Sequence, residues 1–127
     1  MKNLIFLSIL CTALCLTSCG KKTYGCTDST AKNYDANADI NNNQCVYTGT
    51  VVFWQKTDQG VLDVTIENET KKTTVFYASG QPECSKNGCA TFELEPGTYN
   101  FVVTNFQFQW TGKILVQKNV CNKQIIQ

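Results

Sequence analysis

The chain has neither histidine nor arginine. Without histidine, the commonest general base and the commonest metal ligand are missing. Without arginine, and with the ten lysines after residue 18 matched by ten acids, there is no basic stripe of the kind that nucleic-acid binding needs. Helical periodicity is lacking too: no segment repeats its apolar residues at three- and four-residue intervals. The one long apolar run, Leu4 to Leu16, has 13 residues and falls short of the ~20 that span a bilayer as a helix. A cysteine here has no imidazole to activate it, so thiol catalysis is not expected. Asp63, Glu67, Glu69, Glu93 and Glu95 read as solubilising surface acids rather than a glycosidase pair, because so small a domain leaves little room for a deep cleft. The expectation is a protein that is not an enzyme.

What is present begins with a leader. Lys2 followed by the apolar run has the layout of an export signal. The run ends in Leu16-Thr17-Ser18-Cys19-Gly20, which resembles the lipobox of bacterial lipoproteins: an aliphatic residue, two small residues, then the cysteine that receives diacylglycerol. The resemblance implies that residues 1–18 are a signal peptide, that Cys19 is lipidated, and that 19–24 form a tether held to a membrane. Two or three acyl chains, at ~0.8 kcal/mol per buried methylene, anchor firmly. Gly20, where such proteins carry aspartate if they stay in the inner membrane, and the lack of acids just after it imply the outer membrane, facing the periplasm. Removing 18 of 127 residues leaves 109, enough for a small motif and one small domain.

Residues 25–47 are rich in Asn, Asp and Ala and poor in large apolar side chains, so they cannot bury a core of their own. A Cys26–Cys45 bridge would compensate, removing denatured-state freedom worth ~3 kcal/mol. The segment resembles a cysteine motif of secreted and surface proteins of the Bacteroidota, in Gly25-Cys26-Thr27-Asp28, Ala31, Asn33-Tyr34, Cys45 and Tyr47. It departs where that motif has Asp-Asp-Gly-Ser, since Asn41-Asn42-Asn43-Gln44 stands there. Asp35, Asn37 and Asp39 alternate like the opening of a calcium loop, which makes calcium the one cofactor to consider. Ile40 and Val46 occupy the positions where such a loop needs Gly and Glu, and a solvated, turn-rich loop is the preferred reading. Asp28-Ser29-Thr30 resembles a short O-glycosylation signal of the same bacteria.

From Thr48 onward the pattern becomes alternation. Val52 and Trp54 oppose Val51 and Phe53; Leu62, Val64 and Ile66 share one face; Ala90, Phe92 and Leu94 share another; and Tyr99, Phe101 and Val103 follow the Pro96-Gly97 turn. Thr73–Ala78 reads as a strand, Phe106–Trp110 and Ile114–Gln117 as two more extended stretches around Gly112, and Cys121–Ile126 as the last. The fold class is all-β, a seven-stranded sandwich over 50–127 behind a disulfide-closed loop. Gly88-x-Ala90-x-Phe92-x-Leu94-x-Pro96-Gly97-x-Tyr99 resembles the hairpin of transthyretin-like, collagen-adhesin B-type sandwiches, which implies that fold and no particular activity.

Among the sandwich cysteines, Cys84–Cys89 is the favoured bridge because Asn87-Gly88 makes a turn between them; Cys84–Cys121 and Cys89–Cys121 compete. Trp54, Phe106, Phe108 and Trp110, with Tyr77, could form an aromatic platform for sugars, although such a row more often belongs to a core. The functional expectation is a lipid-anchored envelope protein acting as a binding or structural module toward envelope proteins or glycans, with carbohydrate binding on the aromatic strand as the alternative.

Overall fold

A computed structural model describes residues 20–127; residues 1–18, expected as a signal peptide, and Cys19 lie outside the described residues. Two two-residue strands, β1 (Tyr24–Gly25) and β2 (Ile40–Asn41), pair in parallel inside the cysteine motif. Seven strands then build two packed sheets: β3 (Gly49–Gln55), β4 (Leu62–Ile66), β5 (Glu69–Thr73), β6 (Ala90–Leu94), β7 (Gly97–Thr104), β8 (Gln109–Val116) and β9 (Cys121–Ile126). Sheet I has the order β6-β3-β9, with β9 parallel to β3, and sheet II has the order β5-β4-β7-β8.

Alternation decides the packing. Val51 and Phe53 of β3, Ala90 and Phe92 of β6 and Ile126 of β9 meet Leu62, Val64 and Ile66 of β4 and Phe101 and Val103 of β7, all buried. Their period of two places one face of each strand inward, and each large side chain withdrawn from water contributes about 1.5–3 kcal/mol. Phe101 is the hub. Its ring meets Phe53 edge-on at 4.9 Å and Trp110 at 5.0 Å. Gly112 lies beneath it, and a Cβ there would come within 2.8 Å of Phe101 Cε1 and closer still to its Cζ. Gln55 is fully buried yet satisfied: its amide donates to Gly60 O at 2.8 Å and accepts from Gln59 N–H at 3.0 Å.

The two seams between the sheets are closed by side chains. Lys71 Nζ, over the Phe92 ring at 5.1 Å, donates to Thr91 O of β6, and Asn122 of β9 donates to Leu115 O of β8. Such bonds occupy edge acceptors that could otherwise recruit another strand.

The sandwich has seven strands, as expected, with one displaced along the chain and two of the expected stretches merged into one. The strand expected over Thr73–Ala78 is instead β5 at Glu69–Thr73, because a tight turn at Glu67-Asn68, with Glu67 at φ 53°, brings Ile66 opposite Glu69. The two stretches expected around Gly112 are one strand, β8, since Gly112 pairs with Phe101 within the ladder rather than breaking it.

Candidate functional site

The cysteine motif sits at one end of the sandwich, here the proximal pole. Cys26 and Cys45 are disulfide-bonded with Cα atoms 5.0 Å apart, as expected. The candidate calcium ligands are engaged in the turns. Asp35 Oδ1 accepts from Asn37 N–H at 2.9 Å, and Asp39 Oδ2 accepts from Thr23 N–H at 3.1 Å. Asn41 and Asn42 cap the backbone two residues on in the same way. Asn37 contributes its backbone N–H to this pattern rather than a converging oxygen.

Asp28 joins the motif to the sandwich. Its carboxylate accepts from Tyr47 Oη at 2.7 Å and from the backbone and hydroxyl of Thr30 at 2.9 and 2.7 Å, and it faces Lys118 Nζ at 3.4 Å. Lys118, in the turn between β8 and β9, also lies 3.4 Å from the centre of the Tyr47 ring. The Tyr47 hydrogen bond and then the Thr30 bonds hold the Asp28 carboxyl well below the usual carboxylate range. Thr48 O accepts from Asn119 N–H at 2.9 Å beside this cluster. Sequence reasoning found Asp28 and Tyr47 as motif residues but not their partner Lys118, which lies 90 residues from Asp28 and carries no local signal.

The sandwich cysteines correct the expectation. Cys84 is bonded to Cys121, not to Cys89, with Cα atoms 6.4 Å apart. Two successive turns, Lys86 N–H to Glu83 O and Cys89 N–H to Lys86 O, fold the 83–89 segment. Cys84 meets the start of β9, while Cys89 sits half-buried beside Tyr77. Burial pushes the Cys89 thiol up, with the Tyr77 hydroxyl and the Lys86 charge opposing. Among the described residues, Cys89 is the cysteine without a disulfide partner.

The aromatic platform is also corrected. Trp110 and Phe108 pack against the core, and Trp54 is buried on the opposite, outer face of sheet I, so the four residues share no surface. Phe106 alone projects, 90 % exposed. Hydrogen bonds shape the turn that carries it: Asn105 Oδ1 accepts from Gln107 and Phe108 N–H at 2.8 and 2.9 Å, and Asn105 N–H donates to Phe108 O at 3.1 Å. The strand registers bring Val61, Val75 and Phe76, all exposed, to this same distal pole, away from the motif.

These features define a small all-β sandwich with a disulfide-closed loop docked at one pole and exposed apolar turns at the other. Comparison with family models finds no match to this chain, and comparisons with curated proteins and with solved structures likewise find none.

Proposed function

We propose that the chain is a lipid-anchored protein of the bacterial cell envelope that works as a non-enzymatic binding or structural module, held through Cys19 at the outer membrane. The observation that carries this reading is the polarity of the fold. The chain after residue 19 enters through the motif docked at the proximal pole by Asp28, Tyr47 and Lys118, whereas Phe106 stands at the distal pole. The eight residues of β7 alone separate the poles by roughly 25 Å at about 3.3 Å per residue. A protein tethered at one end presents its other end to partners. The leader and the Leu16-Thr17-Ser18-Cys19 sequence support the tether, and the bridged Cys26–Cys45 loop is suited to an oxidising compartment.

The test is membrane fractionation of cells making the wild type and Cys19→Ser. The wild type should pellet with membranes and the variant should be released; a variant that pellets unchanged refutes the anchor. Carbohydrate binding is the second reading, favoured by the projecting Phe106 on its hydrogen-bonded turn rather than by the strand face. Glycan-array binding that disappears in Phe106→Ala would support it, and an array without signal would remove it.

A further inference from the structure

Sheet II shows solvent an outer face that carries Thr98, Asn100 and Lys113, all exposed. The outer face of sheet I differs. On β3 it holds Val52, fully buried, and Trp54, only 6 % exposed. The ladders place Thr91 of β6 and Cys121, Lys123 and Ile125 of β9 on that same face. No strand of either sheet lies over it.

The segment over residues 74–88 supplies the cover. Its ends meet, with Thr74 N–H donating to Gly88 O at 2.8 Å, so it forms a closed Ω-type loop. Gly88, at φ 83°, serves this closure, and a Cβ there would press on Val75. One limb runs beside β3, where Tyr77 N–H donates to Gln55 O at 2.9 Å, and Tyr77 Oη donates across the loop to Asn87 O at 2.6 Å. The far end is fixed by Cys84–Cys121, whose second cysteine belongs to the outer face itself. The loop has little apolar area to hold it down. Pro82 is its one fully buried residue, and Ser79 to Gln81, Glu83 and Ser85 to Asn87 are exposed. On this face the indole N–H of Trp54 is buried without a hydrogen-bond partner, which favours any state that lets water or a ligand reach it.

We infer that the 74–88 loop is a redox-releasable strap: a dithiol reductant opens Cys84–Cys121, and the strap then lifts from the outer face of sheet I and uncovers Trp54 and Val52. Two electrons and two protons pass to the sulfurs of Cys84 and Cys121, leaving two thiols, while the two thiols of the reductant close into a disulfide. The sandwich core lies on the other side of sheet I and is held by Phe53, Phe92 and Phe101, so opening stays local. The inference stands independently of the membrane anchor.

The test uses the full chain in detergent with Trp110→Phe, which leaves Trp54 as the single indole. Iodide should quench Trp54 weakly in the oxidised protein. In the same background, Cys84→Ser should raise the quenching constant several-fold, with the far-ultraviolet β signal retained and Cys26–Cys45 intact. Unchanged quenching in Cys84→Ser overturns the inference, and so does loss of the β signal, which would mean that the strap is not a separate unit. Should Trp110→Phe itself fail to fold, amide exchange of the 74–88 peptide in the chain with both tryptophans gives the same decision. Faster exchange confined to that peptide in Cys84→Ser supports the strap, and exchange that is unchanged or accelerated throughout the sandwich refutes it.

Discussion

Replacing Gly112 with alanine tests the packing at the centre of the sandwich. The added methyl would meet the Phe101 ring within 2.8 Å at Cε1 and closer at Cζ. The ring cannot simply move aside, since Phe53 lies 4.9 Å from it on one side and Trp110 5.0 Å on the other, and Phe101 is 2 % exposed. Forcing one methyl into such a core costs about 1–3 kcal/mol. The stiffer unfolded chain returns roughly 0.4–1 kcal/mol, leaving a net loss of about 1–2 kcal/mol. For a domain of this size that lowers the melting temperature by ~4–10 °C. Gly97→Ala is the control on the same strand pair, because its Cβ would meet Tyr99 no closer than 3.5 Å, an ordinary contact. Thermal unfolding followed by circular dichroism should show Gly112→Ala lowered and Gly97→Ala within about 2 °C of wild type. Combining Gly112→Ala with Phe101→Leu should cost less than the two single changes added together. If Gly112→Ala melts with the wild type, the account of Phe101 as the wedge between the sheets is wrong.

The acid limb of stability should depend on Asp28. Its folded-state pKa is depressed, so its contribution is complete above the unfolded value near ~3.9 and disappears as pH falls toward the folded one; urea unfolding between pH 6 and pH 2 should lose less stability on acidification in Asp28→Asn than in wild type, and parallel curves would refute the role. Phe106→Ala should leave the melting temperature within ~1 °C because the side chain is 90 % exposed, whereas Trp110→Ala should cost about 2–4 kcal/mol through lost core contact with Phe101. Calcium at millimolar concentration should leave thermal unfolding unchanged, since Asp35 and Asp39 already accept backbone N–H bonds; a rise in melting temperature that EDTA reverses would restore the calcium loop.

Where one face of a strand is buried and the other wet, the sequence reads clearly. The alternation expected from Val61 to Ile66 and from Cys89 to Leu94 is found in strands that begin one residue later, at Leu62 and Ala90. The misplacement of β5 has the opposite cause. Glu69–Thr73 is an edge strand whose only fully buried residue is Thr73, so its composition is that of a turn. β8 was concealed by Gly112, which looks like a break until the Phe101 ring that occupies its missing side chain is known. The Cys26–Cys45 bond was legible because both cysteines bound one compositionally distinct segment. Cys84–Cys121 was not, because it depends on β9 running parallel to β3, a long-range pairing with no local signature. The same holds for Lys118 meeting Asp28. The aromatic row misled because side chains at alternating positions, Phe108 and Trp110, face the core, while the odd one out, Phe106, sits beyond the strand in a turn.

The proposal that this sandwich is held to a membrane by its first mature residue is tested most directly by intact-mass and peptide mass spectrometry of the protein purified from its native membranes. The account predicts a mature chain beginning at Cys19 and carrying the added mass of a diacylglyceryl group, with or without a further acyl chain on its amine. A chain beginning elsewhere, or an unmodified Cys19, would contradict it.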